Sequence, residues 1–272
     1  YYRRHYVPDN ATLVIVGDVE SAEVLRRVDR AFGPIQPGTQ GASPRTAEPA
    51  QQGRRRVTIE KEGTTAYLKV AWHAPAFESP DFYRMVVLDA VLTGAKGLNL
   101  WSSFRTPPPQ RSARLYRALV DRRLASSVGG AMLPTRDPFL YSVSATATAG
   151  TPLGVLEEAA MAEIDRVARD GVTDEELSKA KNQLRARLVF ENDSVTHIAH
   201  QLGYFETVAT WRLVVSSRER IERTTLQEVN DAARLYLRSA NQTVGWFEPL
   251  PPAAGAPAHG MASAGLPAPE PR

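Results

Sequence analysis

Ala66-Tyr-Leu-Lys-Val-Ala-Trp72, followed shortly by Ser79-Pro-Asp-Phe-Tyr-Arg-Met-Val-Val-Leu-Asp-Ala-Val-Leu92, changes its hydrophobic period between the two runs. The first run alternates as a half-buried strand does. In the second, Ser79-Pro80 caps and starts a helix, and Phe82, Met85, Val86, Leu88, Ala90, Val91 and Leu92 ring most of its surface. A helix that is apolar nearly all round is a central one.

Working outward, Val57-Thr-Ile-Glu60 alternates as well, and Glu62-Gly63 reads as the turn that pairs it with the strand after it. Gly94 to Arg111 is a long irregular loop carrying Trp101, Phe104 and Pro107-Pro108-Pro109. A helix over about 112–121 and strands around 126–133 and 139–149 follow, the last alternating through Tyr141, Val143 and Ala145. Leu153 to Arg169 is amphipathic and Gly171 stops it. Thr173-Asp-Glu-Glu176 and Thr225-Leu-Gln-Glu228 are capping boxes, each opening a helix, and 197–210 reads as a further helix. Thr243-Val-Gly-Trp-Phe247 closes the unit as a strand. Strands gathered early and helices late describe an α+β fold, a two-layer sandwich of a mainly antiparallel sheet with helices packed on one face.

Before this unit, Ala11-Thr-Leu-Val-Ile-Val16 has the pattern of a strand buried on both faces, and a helix follows with Val24, Leu25, Val28, Ala31 and Phe32 on one side. So short a piece cannot close a core alone. Residues 37–56 are rich in Pro, Gly, Gln and Ser and read as a linker, with Arg54-Arg55-Arg56 as a solvated approach to the first strand. Residues 250–272 are Ala/Pro/Gly-rich and read as a disordered tail.

The 272 residues carry 33 Lys+Arg against 30 Asp+Glu, and a net charge of +3 does not favour dedicated nucleic-acid binding. There is no cysteine, which removes disulfides, thiolate metal sites and cysteine nucleophiles together. No run approaches the ~18 apolar residues of a membrane span. The opening Tyr-Tyr-Arg-Arg-His-Tyr6 lacks an initiator Met and a signal-peptide core, and reads as the start of a processed or excised piece.

Chemistry-bearing patterns are few. His197 and His200 stand at i and i+3, but a catalytic zinc needs a third protein ligand, and only Asp193 and Glu206 lie near in sequence. Neither H-E-x-x-H nor H-x-x-E-H occurs, and the bland reading is two histidines on a partly exposed helix face. His5 and His73 have no carboxylate at useful spacing. No G-x-S-x-G elbow, P-loop or Rossmann glycine triad is present. Trp101 and Phe104 either touch a ligand or plug a hydrophobic gap, and the edge strand bearing Ser126, Ser127 and Val128 could accept an extended peptide by strand addition.

Taken in order, several strings resemble the insulinase/pitrilysin-type zinc peptidases, the inverzincins. Tyr6-Val-Pro-Asp-Asn-Ala-Thr-Leu-Val-Ile-Val-Gly-Asp-Val19 resembles the close of that family's first domain. Arg114-Leu-Tyr-Arg-Ala-Leu-Val-Asp-Arg-Arg-Leu-Ala-Ser-Ser-Val128, Gly171-Val-Thr-Asp-Glu-Glu-Leu177, Gln201-Leu-Gly203 and Thr243-Val-Gly-Trp246 resemble its C-terminal, non-catalytic half.

The resemblance implies 1–36 as the end of a preceding homologous domain, 37–56 as linker, 57–249 as the inactive domain and 250–272 as tail. It implies a chamber of two such domains around a peptide substrate, with zinc held by H-x-x-E-H and a distal Glu on the other domain. None of those ligands occurs here, so the expectation is no catalytic or metal residue in this chain, zinc on a homologous catalytic domain or partner subunit, and a possible dimer. An Arg and a Tyr that hold substrate in many relatives are replaced here by Val120 and Ser126. Weak substrate contacts are then expected from Trp101, Phe104, Ser126, Ser127 and Val128. Bacterial relatives imply a periplasmic location. The alternative is an assembly subunit that keeps the fold without the chemistry.

Overall fold

The structure is a computed structural model that describes residues 2–38, 48–98, 110–190 and 194–251. Trp101 and Phe104, Asp193 and nearly all of the tail lie outside the described residues. Among the described residues eight α-helices and five strands follow in the order α1 (Tyr2–His5), α2 (Ser21–Phe32), β1 (Arg55–Glu62), β2 (Tyr67–Ala74), α3 (Pro80–Leu92), β3 (Ala125–Met132), β4 (Phe139–Ala147), α4 (Leu153–Asp170), α5 (Asp174–Phe190), α6 (Val195–Val208), α7 (Trp211–Arg223), α8 (Leu226–Tyr236) and β5 (Gln242–Leu250). The sheet order is β1-β5-β2-β4-β3, antiparallel except for the parallel β1–β5 pair. It is the mixed two-layer architecture expected, with the helices on one face.

The core lies where the two periodicities meet. Leu68, Val70 and Trp72 of β2 and Tyr141, Val143 and Ala145 of β4 are buried beneath α3, ten of whose thirteen residues are buried. The Ser79 hydroxyl accepts from the Asp81 N–H and opens α3 as anticipated. Both capping boxes close: Thr173 N–H donates to the Glu176 carboxylate at 2.9 Å, and Thr225 N–H to that of Glu228 at 2.8 Å.

Several features differ from the expectation. β1 and β2 do not form a hairpin, because β5 lies between them. The exchange follows burial: β1 has no buried residue, whereas β5 brings Gln242 and Val244 inside, so the inner position goes to the strand with more to bury. The segment 11–16 is extended but finds no partner strand among the described residues, and Leu13 and Ile15 stay exposed. The helix expected over 112–121 forms over 114–120, and its last five residues, Tyr116–Val120, are π-helical, with Asp121 N–H reaching back five residues to the Tyr116 carbonyl. Finally, α7 is a helix that periodicity did not announce; the Thr210 hydroxyl caps it and Ser217 interrupts its apolar side at a buried position.

The run Arg54-Arg55-Arg56 is not simply solvated. Arg54 and Arg56 both pair with Glu157 on α4, whose carboxylate also accepts from the Trp246 indole at 2.7 Å. Arg56 stacks over that indole, 4.7 Å from the ring centre. Edge strand β1, with no apolar anchor of its own, is therefore held to the helical layer electrostatically.

Candidate functional site

The sheet face away from the helices is open. Strand alternation puts Tyr67, Lys69, Ala71 and His73 of β2 on it, and the register aligns each with neighbours across the sheet. One row runs Val57, Gly245, Lys69, Ser144, Gly129; the next runs Ile59, Phe247, Tyr67, Thr146, Ser127. The middle of this face is floored by glycine, serine and alanine, which leaves a shallow bed, and Tyr67 and Phe247 stand at one end with ring centres 5.7 Å apart. β3 is the outermost strand on its side, and no strand among the described residues pairs with its outer edge. An unpaired edge of that kind is a template for an added strand.

A cleft of about 340 Å³ opens at that edge, lined by Lys69, Lys96, Ser127, Gly129, Gly130 and Thr146 among others. Below it lies a buried polar network. Lys96 Nζ donates to Asp89 Oδ2 at 2.6 Å, to the Thr93 hydroxyl at 2.6 Å and to the Gly94 carbonyl at 3.1 Å. The Tyr141 hydroxyl donates to Asp89 Oδ1 at 3.0 Å. Full burial, and then the adjacent carboxylate, push the Tyr141 phenol well above its ordinary range. All three ammonium protons of Lys96 are engaged, so it is not available as a nucleophile or base. The network instead holds α3 against β3: a Cβ at Gly130 would sit 2.2 Å from Asp89 Oδ1.

The sequence candidates separate here. Ser127 lies on the open face and its hydroxyl bonds Thr146 Oγ1 at 3.0 Å. Ser126 sits in a register irregularity of β3, its hydroxyl donating to the Thr146 carbonyl at 3.4 Å. Val128 turns the other way and packs on the core, so it lines the cleft from beneath.

His197 and His200 line a groove of about 770 Å³ between α6 and the extended run Val14–Val16. The groove has no third metal donor among its lining residues, and Glu206 spends its carboxylate on the Trp211 N–H at 2.9 Å. Among the described residues no group of three or more His, Asp or Glu comes together to hold a metal. The donor set does not fit a zinc site.

His73 was missed as a partnered residue. Its Nδ1 lies 2.8 Å from Asn241 Oδ1, and its Nε2 lies 3.6 Å from a Glu48 oxygen. Both partners reach it through the fold rather than through spacing. Among the described residues the partners of this imidazole are Asn241 and Glu48 and not a hydroxyl or amine, so the arrangement orients a ring without making a catalytic pair.

A family model described as the peptidase M16 inactive domain matches residues 1–184. The chain belongs to this family. Among M16 relatives, the probable mitochondrial-processing peptidase subunit beta of Schizosaccharomyces pombe is 24% identical over 207 residues, covering 75% of this chain and 43% of that protein. The zinc protease PqqE of Helicobacter pylori is 25% identical over 205 residues, covering 73% of this chain and 42% of that protein. The chain thus spans about half the length, or less, of the curated relatives it matches. A Helicobacter pylori protease of known structure superposes with a TM-score of 0.79 at 20% identity, over 91% of this chain and 57% of that one, a likeness of fold. No helix among the described residues is long and apolar enough to cross a membrane.

Proposed function

We propose that this chain forms the catalytically silent wall of an M16 peptidase chamber and holds an extended peptide on its open sheet face and along the free edge of β3. A zinc-bearing homologous domain outside these residues, on the same polypeptide or on a partner subunit, carries out the hydrolysis. The observation that carries the reading is the small-residue bed formed by Gly129, Ser144 and Gly245. It lets a backbone approach the sheet closely, next to an edge able to give main-chain hydrogen bonds. The uncovered apolar surface of the first segment supports a second domain. Leu25 and Phe32 of α2 are more than half exposed, as is Leu13 of the extended run. A periplasmic setting belongs to the same proposal, and cell fractionation tests it.

The test is reconstitution. Mixed with a zinc-bearing M16 half, this chain raises the cleavage rate of a fluorogenic peptide, and alone it cleaves nothing. A Cβ at Gly129 meets nothing within 4 Å, so Gly129→Leu can place its side chain over the bed, and an unchanged melting temperature checks that the variant folds. That variant raises KM several-fold. Chelator-sensitive cleavage by the isolated chain, or an unchanged KM for Gly129→Leu, would refute the reading.

A further inference from the structure

The open face is one-sided in charge. At its strand positions Arg55 and Lys61 come from β1 and Lys69 and His73 from β2, and no Asp or Glu occupies any of them. The acidic residues of the strands fall on alternate positions: Glu60 and Glu62 of β1 and Glu248 of β5 belong to the opposite face. One carboxylate does approach this side from outside the sheet, that of Glu48, 3.6 Å from His73 Nε2. Arg55, Lys61 and Lys69 have no ion-pair partner among the described residues. Arg54 and Arg56, the neighbours of Arg55, are by contrast engaged with Glu157.

Lys69 is the central member. Its lateral neighbours are Gly245 and Ser144, which leave its stem uncrowded, and it lines the cleft at the β3 edge. Arg55 lies two strands away and one same-face step along. At about 4.8 Å between strands and about 6.8 Å per two residues, their Cα atoms are about 12 Å apart, a span that four residues of extended chain cover.

We propose that the open face selects acidic peptides, with Lys69 and Arg55 receiving carboxylates spaced about four residues apart along an extended segment. The inference rests on the peptide-holding function proposed above and adds the substrate class. The attraction is one of complementary sign on a surface that contributes no competing carboxylate at its strand positions. It discriminates mainly by excluding basic segments, whose side chains meet like charges over the bed.

Fluorescence anisotropy tests this on the 272-residue chain. The probes are an eight-residue labelled peptide with Glu at positions two and six, and the same peptide with Lys there. The acidic peptide binds about tenfold tighter at low salt, within the range of two exposed ion pairs. The gap closes in 0.5 M salt, at a Debye length of roughly 4 Å. Lys69→Gln narrows the gap to about threefold and Lys69→Glu closes it, because Arg55 still attracts its carboxylate, and Lys69→Glu with Arg55→Glu reverses the order of the two peptides; Lys69 and Arg55 are exposed, so the melting temperature stays put. Equal binding of both peptides, weakened alike by Gly129→Leu, overturns the acidic preference and leaves the peptide-holding function standing. An acidic preference indifferent to Lys69→Glu and Arg55→Glu also overturns the inference, because the attraction then lies elsewhere. If neither peptide binds, the peptide-holding function fails and this inference with it.

Discussion

The guanidinium of Arg114 grips the carboxylate of Glu176 with two parallel bonds, Nε to Oε1 and a terminal nitrogen to Oε2, both 2.7 Å. Arg114 also reaches the Gly171 carbonyl at 3.3 Å and a Glu163 oxygen at 3.4 Å. Glu176 closes the capping box of α5, so one ion pair joins the approach to β3 with the end of α4 and the start of α5. Arg114→Ala leaves the partly buried Glu176 carboxylate without its cation, while Glu163 keeps Arg166 at 3.0 Å. The substitution is expected to cost about 3 kcal/mol in urea unfolding. A loss below about 0.5 kcal/mol would show that the pair is incidental.

Acid should loosen the same junctions. The Arg114 ion pair holds the Glu176 carboxyl below its ordinary value of 4.5. Burial alone would raise Glu157, but Arg56, Trp246 and Arg54 outweigh it and bring that carboxyl below 4.5 too. A carboxyl depressed in the folded state contributes stability that is fully present above its unfolded value and lost as pH falls through the folded one. The melting temperature should therefore hold from neutrality to about pH 5 and drop below pH 4.5, less steeply in Glu176→Gln. A flat profile down to pH 3 would contradict this.

The alkaline limb has the opposite sign. Burial raises the phenols of Tyr141 and Tyr236, each also beside a carboxylate, above the ordinary 10.0. Both stay protonated in the fold while the unfolded chain ionises, so their contribution is present below pH 10 and lost above it. Tyr141→Phe removes that loss but leaves Asp89 with one donor fewer. Its alkaline melting curve should be shallower, on a lower plateau at pH 7.

Adjacent glycines in β3 should respond differently. At Gly130 a new Cβ would lie 2.2 Å from Asp89 Oδ1 and 2.6 Å from Thr93 Oγ1, whereas at Gly129 it meets nothing within 4 Å. Gly130→Ala should destabilise by about 2–3 kcal/mol, as overpacking against a fixed network does. Gly129→Ala should be neutral within about 0.5 kcal/mol. Equal effects in thermal unfolding would sink the argument.

Arg123 turns into β3 with φ at 60°, the left-handed conformation that suits glycine. Arg123→Gly should stabilise by about 1 kcal/mol. A decrease in melting temperature would mean that the arginine makes a compensating contact.

What was readable in the chain was whatever depended on local pattern. The alternation in β2 and β4, the all-round apolar α3 and the two Thr/Glu capping boxes declared themselves because neighbours in sequence were the partners. Where the partner was distant, reading failed. The hairpin of β1 with β2 looked sound until β5, from the far end of the domain, took the place between them. Arg54 and Arg56 looked solvated because Glu157 is about a hundred positions away. His73 looked unpartnered because Asn241 is 168 positions away. α7 went unread because Ser217 sits where an apolar residue would have completed the stripe. The resemblance and the edge position point to Ser126 and Ser127, of which Ser127 lies on the open face and Ser126 in the register irregularity of β3. Lys69 was passed over, since one lysine in an alternating strand says nothing until its neighbours across the sheet prove to be glycine and serine.

The position of β5 also bears on how the protein is made. Synthesis delivers β1 and β2 early, and the strand that belongs between them emerges only after every helix of the layer. At about 5–20 residues per second, the growing chain spends roughly 10–40 s with two sticky strand edges facing an empty slot. During that interval a passing β-strand from another nascent chain could occupy the gap. The topology therefore predicts chaperone capture of the ribosome-bound chain that ends once Leu250 has cleared the exit tunnel.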